Sequence, residues 1–138
     1  DGVDANTLRE VLYTEISHLT QRHQRGIDLF NRMGGFSPTL GILGTVLALV
    51  HTLGSVDNPD KMAGAIASAF IATLWGVGMA NIVYIPIADK LRSRHEDEIT
   101  SLELIAEGVL AIQAGETPRL IRRRLQSFLS PSLRDVEY

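Results

Sequence analysis

The side chains with chemical potential are hydroxyls and one histidine inside two long apolar runs. The first run, residues 34–53, contains Thr45 and His51, whereas the second, residues 62–88, contains Thr73 and has no Asp, Glu, Lys, Arg or His. An ion pathway normally needs an ionisable group inside the bilayer. His51 lies near the outer end and is better placed for an interfacial role than for proton relay. If the chain helps to move ions, a partner must therefore supply the carboxylate, while this chain supplies hydroxyls and carbonyls.

The hydroxyl of Thr73 has two possible roles. It could bond to a carbonyl of its own helix, or it could line a polar path. A second polar group of this run, the Asn81 amide, must also find a partner because an unpaired amide in hydrocarbon is costly.

Small side chains recur every four residues in the second apolar run, which predicts a face for close helix packing. Association in lipid depends on close packing and interhelical hydrogen bonds, which small residues permit. The residues of this stripe are Gly64, Ser68, Ala72, Gly76 and Ala80.

Both runs are long enough to cross a membrane, since a spanning helix needs about 20 apolar residues. We therefore predict an all-α membrane protein, built as a two-helix transmembrane hairpin with extended cytoplasmic helices at both ends. A pair of buried helices in a soluble core is the alternative. The predicted segments are a helical arm at 1–33, a transmembrane helix at 34–54, an extracytoplasmic turn at 55–61, a second transmembrane helix at 62–88 and a helical tail at 89–138.

The basic residues give the hairpin an orientation. Twelve of the 13 Lys and Arg residues flank it on its open side, and the remaining one, Lys61, lies in the link. Basic residues accumulate on the cytoplasmic side of membrane proteins. Both ends of this chain are therefore expected in the cytoplasm.

Several function classes find no support in the sequence. Nucleotide-binding loops, catalytic triads and metal-ligand clusters are absent, and there is no cysteine. His18 and His23 lie on different helix faces, so we expect both to be solvated. We therefore predict no enzyme activity, no cofactor, no metal and no nucleic-acid partner.

Capping and proline rules predict where the helices begin and end. Asn6 is a candidate N-cap, a break is expected at Gly34-Gly35, and Pro38 fits a first helical turn. Pro86 should kink its helix or free a carbonyl.

The tail is predicted to contain a further helix. Gly115 suits a C′ position, and Thr117-Pro118 can start the next helix. That last helix is amphipathic, and it could lie on the inner membrane surface or dock on the other arm.

Three stretches carry a resemblance to a known family. Residues 35–46 (GFSPTLGILGTV) resemble the third transmembrane helix of the flagellar motor stator subunit family MotA, called PomA in sodium-driven motors and related to TolQ and ExbB. Residues 69–78 (AFIATLWGVG), with Ala80-Asn81 and residues 86–91 (PIADKL), resemble the fourth. Residues 107–119 (EGVLAIQAGETPR) resemble the family signature that follows.

The resemblance implies a mechanism in the bacterial inner membrane. Such subunits form a ring, typically of five, around the helices of two MotB-like partners, each of which supplies a membrane aspartate. Ion flow turns the ring, and its cytoplasmic arms push the rotor protein FliG. Rotation of the flagellum then serves motility and chemotaxis. By this resemblance Thr39, Thr45 and Thr73 line the ion path, and Pro38 and Pro86 serve conformational coupling.

Departures from the family pattern limit what carries over. Only the third and fourth helices are present, so the chain is expected to be the C-terminal portion of a longer protein that neither conducts ions nor generates torque alone. None of Arg9, Glu10, Glu15 and Arg22 can be assigned as a rotor contact.

The resemblance favours protons over sodium as the transported ion. Sodium-type relatives tend to carry two adjacent threonines where this chain has Ala72-Thr73. The missing hydroxyl removes one possible oxygen ligand for a hard cation.

Two other functions compete with the stator interpretation. One is an ExbB/TolQ-like energiser of outer-membrane transport, which a neighbouring gene resembling ExbD or TolR would favour. The other is a passive membrane scaffold, in which changes at Thr73 or Pro38 would harm assembly but nothing specific to ion coupling.

Overall fold

The computed structural model describes residues 3–54 and 59–129, and for residues 59–61 it describes the backbone only. This part of the chain is mainly helical and contains no strand. The helices are α1 (Ala5–Leu53), α2 (Pro59–Gly78), α3 (Ile85–Gln113) and α4 (Pro118–Gln126), and a π-helical segment, Met79–Tyr84, joins α2 to α3. Two of the continuous helical stretches, Ala5–Leu53 and Met62–Gln113, are long and apolar enough to cross a membrane. The predicted all-α hairpin is confirmed. Most of the predicted turn, and Pro131 beyond α4, lie outside the described residues.

α1 runs without interruption through both glycines and the proline near its middle, so the break predicted at Gly34-Gly35 is wrong. A glycine inside a helix costs only about 1 kcal/mol, and Gly34 is closely packed: a Cβ there would lie 3.0 Å from Ile85 Cγ1. The helix start predicted at Pro38 is also wrong, since this residue lies in the helix interior. Its ring leaves the carbonyl of Gly34 without the usual helical donor.

The start of α1 also differs from the predicted cap. The helix begins at Ala5, and the Asp4 carboxylate accepts a hydrogen bond from the backbone N–H of Asn6 at 3.1 Å. The N-cap is therefore Asp4, and the prediction of Asn6 is wrong. Both residue types cap well, so the local sequence alone could not distinguish them.

The chain divides into two compact units. The hairpin unit is Gln24–Arg92, and the arm unit is Asp1–His23 with Ser93–Tyr138. α1 and α3 are continuous helices that contribute to both.

The hairpin unit packs through glycines. A Cβ on Gly76 would lie 2.7 Å from the Ser37 carbonyl oxygen and 2.9 Å from Gly41 Cα. A Cβ on Gly41 would lie 3.0 Å from the Ala72 carbonyl oxygen. The backbones of α1 and α2 therefore touch directly, and no side chain separates them at this crossing.

The π-helical segment Met79–Tyr84 comes just before Pro86, where a kink or a free carbonyl was predicted. The N–H of Ile85 bonds to the carbonyl of Ala80, five residues back. Proline cannot donate to the fourth residue before it, and its ring clashes with that carbonyl. A wider turn is one way to relieve both problems. Within the segment, the Asn81 amide donates to the Val77 carbonyl at 2.9 Å, which supplies the partner that the sequence required.

In the arm unit, α3 ends in a Schellman motif. Gly115 has φ 70°, its N–H bonds to the Ile112 carbonyl, and the N–H of Glu116 bonds to the Ala111 carbonyl. The predicted C′ glycine is therefore confirmed. Thr117 has the extended backbone of an N-cap, with Pro118 at the first helical position, although no side-chain cap bond forms.

α4 then packs back against α3. A Cβ on Gly108 would lie 3.7 Å from the Leu125 side chain, and Arg124 pairs with Glu107 and Glu116 at 3.6 and 3.2 Å. α4 thus docks on the preceding helix of its own tail. Docking on the other arm and a position on the membrane surface, the two placements that its amphipathic pattern left open, stay predictions.

Tyr13 ties the first part of α1 to the same region of α3. Its hydroxyl donates to Glu107 Oε1 at 2.9 Å. This bond raises the pKa of Tyr13 above its usual value, because ionisation would place two anions together, and burial and the Glu107 charge act in the same direction.

We predict that Gly76→Ala separates α1 from α2. The new methyl group would meet backbone atoms, which cannot rotate away, and such overpacking costs about 1–3 kcal/mol. Gly78→Ala is the matched control, since it lies in the same helix with nothing within 4 Å of its Cβ. Thermal unfolding of the full-length protein in detergent checks this. Equal melting temperatures for the two variants would contradict it.

We also predict that the Tyr13 bond weakens in alkali. Because the pKa is raised, the stabilisation is complete below pH 10, the ordinary tyrosine value, and is lost as the pH rises through the raised value. Absorbance titration near 295 nm, taken as wild type minus Tyr13→Phe, measures this one phenol. A difference curve with its midpoint at or below 10 would exclude the effect.

Candidate ion-path site

The two mid-span threonines meet across the interface of α1 and α2. Thr45 Oγ1 lies 2.5 Å from Thr73 Oγ1, 3.0 Å from the Gly41 carbonyl oxygen and 3.2 Å from the Ala69 carbonyl oxygen. Both threonines are half-buried. Three oxygens thus lie within hydrogen-bond reach of the Thr45 hydroxyl.

Helix geometry explains the cluster. Gly41 and Ala69 each lie four residues before a threonine, so each carbonyl is on the same face as the hydroxyl one turn later. The glycine contact brings the two faces close enough for the hydroxyls to bond directly. Thr73 therefore bonds to the neighbouring helix, a contact that neither of its two predicted roles included, and its lining of a polar path stays a prediction.

The cluster contains more acceptor capacity than protons. Each hydroxyl has one proton to donate and can also accept, whereas the carbonyls only accept. Such an oxygen group can hand on a proton or contribute ligands to a hard cation. No titratable side chain belongs to it, and among the residues that the structure describes no group of three or more His, Cys, Asp or Glu could hold a metal.

The other predicted site residues do not join this cluster. Thr39 is exposed and lies six residues before Thr45, about 120° around α1. Pro38 is half-buried inside α1, one turn before the glycine contact, and Pro86 follows the π-helical segment.

The predicted small-residue stripe divides into two parts. Ala72 and Gly76 lie at the contact with α1, and Ala80 is buried with 1% of its surface exposed. Gly64 has nothing within 4 Å of a built Cβ, and Ser68 is exposed, with its hydroxyl bonded to the Gly64 carbonyl at 3.0 Å. Within this chain, Ala69 is buried at the position beside Ser68.

Sequence reasoning missed two features of this region. The carbonyls of Gly41 and Ala69 were not expected near the hydroxyls, although their spacing of four from each threonine was a usable signal. Thr52 was also missed: it is buried on the same face of α1 and donates to the Ala48 carbonyl at 2.7 Å.

One of the two arm histidines was also misplaced. His18 is exposed, as expected, but His23 is half-buried and its Nδ1 lies 3.3 Å from His95 Nδ1. The expectation that His23 is solvated is wrong. The sequence alone gave no signal that a residue 72 positions away would face it.

Large apolar side chains cover the outer surface of the hairpin unit. Within this chain many of them are more than half exposed, as expected of a helix surface that meets lipid or another helix rather than water. The largest of them in α2 and the π-helical segment are Phe70, Leu74, Trp75 and Ile82.

Fold and site together describe two helices that are long and apolar enough to cross a membrane and that bring polar oxygens, but no charged group, to their shared interface. Residues 1–104 match the model of the MotA/TolQ/ExbB proton channel family, and the chain belongs to that family.

Two members of this family with known names have sequences similar to this chain. The chain is 41% identical over 131 residues to Motility protein A of Treponema phagedenis, covering 95% of this chain and 51% of that protein. It is 39% identical to Chemotaxis protein PomA of Vibrio alginolyticus, covering 99% and 54%.

Solved structures agree with these relatives. The flagellar MotAB stator complex from Bacillus subtilis contains a chain that matches with a TM-score of 0.88 and 34% identity, over 99% of this chain and 55% of that one. The chain therefore spans about half the length of the relatives it matches.

We predict a favourable coupling between Thr45 and Thr73. A double-mutant cycle with Thr45→Val, Thr73→Val and both should give about 0.5–1.5 kcal/mol, the range of hydrogen bonds inside membrane proteins. Unfolding of the full-length protein in detergent gives the four free energies. The control is a second cycle with Thr52→Val and Thr73→Val, because the Thr52 hydroxyl bonds to the Ala48 carbonyl of its own helix. Coupling of equal size in the control would exclude a specific pair.

Proposed function

We propose that this chain is part of a stator subunit that couples ion flow across the bacterial inner membrane to torque on the flagellar rotor. The observation that carries the proposal is the Thr45–Thr73 hydroxyl pair, held between two apolar helices without an ionisable side chain. Membership of a proton channel family and the relatives named Motility protein A support the same function.

The missing carboxylate defines the main partner. A MotB-like subunit supplies the membrane aspartate, and the hydroxyls and carbonyls of this chain face that acid. The matching solved structures are of MotAB complexes, which supports this partner. We further propose that copies of the subunit form a ring, typically a pentamer, that acts on FliG.

The site residues take the roles that the family resemblance implies. Thr45 and Thr73 line the ion path together with Thr39, which is exposed in this chain and available to the partner helix. Pro38 and Pro86 serve conformational coupling, and each lies where a helix loses a regular hydrogen bond. The exposed part of the stripe, Gly64 and Ser68, packs on neighbouring helices in lipid.

The transmembrane segments are proposed at 34–54 and 62–88, with the turn outside the cell membrane and both ends in the cytoplasm. The asymmetry of basic residues supports this orientation. Protons are the proposed ion. The site offers hydroxyls but lacks the second adjacent threonine at Ala72, which disfavours sodium.

The test uses the complete protein, co-expressed with its MotB-like partner in a non-motile host that lacks stators. Swimming is scored for wild type, Thr45→Val, Thr73→Val and Pro38→Ala, with sodium present and then replaced by potassium. We expect wild type to swim in both media and the three variants to lose swimming while still reaching the membrane.

The matched control is Thr52→Val, which removes a buried threonine hydroxyl from the same face of α1 without touching the pair. It should keep swimming. Sodium dependence of wild type would overturn the proton assignment alone. Failure of wild type, despite confirmed assembly and a compatible rotor, would overturn the stator function and favour an ExbB/TolQ-like energiser.

A further inference from the structure

We propose that the His23–His95 contact is a pH-sensitive joint between α1 and α3 of the arm unit, one that tolerates a single added proton and opens when both rings are charged. The contact lies outside the ion-path site, and no part of the proposed torque mechanism uses it. The assignment of this contact to the cytoplasmic side rests on the proposed function, whereas the protonation of the two rings does not depend on it.

The geometry of the pair restricts its protons. The two Nδ1 atoms are 3.3 Å apart, and the rings meet edge to face with centroids 5.4 Å apart and an interplanar angle of 84°. A single hydrogen fits between two nitrogens at this distance. One ring therefore donates its Nδ1–H, and the other accepts through a bare Nδ1.

The first added proton leaves this bond in place. It can bind the Nε2 of the donating ring, on the far side from the contact, and a charged donor makes the bond stronger. The Glu98 carboxylate favours this state, since its Oε2 lies 3.8 Å from His23 Nδ1. The pair with one positive charge is thus still closed.

The second added proton breaks the bond. The accepting ring already carries hydrogen on Nε2, so its remaining site is the Nδ1 that receives the bond. Protonation there turns two N–H groups toward each other and places two positive charges side by side. Neither effect has compensation within the pair, and the rings must separate.

The residues one helical turn from the pair carry few charges. On α1, the residues one turn from His23 are Leu19, Thr20, Gly26 and Ile27, none of which carries a charge. On α3, Glu98 faces the pair, and Arg92, one turn before His95, is engaged with Asp89 at 3.4 Å. The second proton must enter beside the charge of the first, which opposes it. The joint should therefore hold at neutral pH and loosen only in clearly acidic solution.

A double-mutant cycle measured at two pH values tests the joint. The melting temperature of the full-length protein, purified with its partner, is measured for wild type, His23→Phe, His95→Phe and the double variant at pH 7.5 and 4.5, the lower value being chosen so that the second proton can enter. Phenylalanine keeps the edge-to-face ring contact but has no nitrogen. We expect a coupling of roughly 2–4 °C at pH 7.5, as for one hydrogen bond, and none at pH 4.5.

Every other outcome contradicts the joint. A coupling that is equal at both pH values would mean that the rings only pack, and no coupling at either pH would mean that the bond contributes nothing. A cycle between His18→Phe and His95→Phe is the control, because His18 is exposed on the same helix, and it should show no coupling at either pH. Loss of swimming plays no part in the readout, so failure of the stator function would leave this test intact.

Discussion

The direct contact between the backbones of Gly41 and Gly76 sets the dimensions of the hairpin unit. A methyl group at either position would meet atoms of the opposite helix at 3.2 Å or less. Helix axes usually lie 8–10 Å apart, depending on the side chains between them, and two glycines allow the shortest spacing. Threonine hydroxyls are short, so only this spacing lets Thr45 and Thr73 bond without a bridging group. Packing thus comes first, and the polar chemistry depends on it.

A polar cluster without a charge suits a membrane interior. Ionisable groups at the bilayer centre are expensive and are kept where they act, whereas hydroxyls bonded to helix carbonyls are tolerated because each polar atom has a partner. Thr45 has three possible acceptors close by, one of which is the Thr73 hydroxyl, so its proton can move between them at little cost. In the proposed stator function, such a wall adapts to the acid of the partner helix as that acid gains and loses its proton.

The fold was largely predictable because long apolar runs and turn residues report on local constraints. The spans, the C′ role of Gly115 and the restart at Pro118 all follow from the chemistry of single residues. Predictions failed where tertiary contacts decided the outcome. α1 passes through Gly34 because Ile85 packs there, and Pro38 is accommodated inside a helix that the packing maintains.

The site was predictable only in part. Family resemblance indicated Thr45 and Thr73, and the structure brings them together, but their bond depends on the relative rotation of two helices. The pairing of His23 with His95 likewise depends on residues 72 positions apart. Neither contact can be recognised from a short stretch of sequence.

The π-helical segment also determines on which side of the helix the buried residues after it lie. Ala69 and Ala80 are eleven residues apart, which is about three α-helical turns, so they share a face. Ala88 is also buried, but eight α-helical residues would carry it about 80° away from Ala80. The extra residue in the wide turn cancels most of that rotation and returns Ala88 to the same line. The one additional residue in the wide turn thereby keeps the buried alanines on one face of the helix past Pro86.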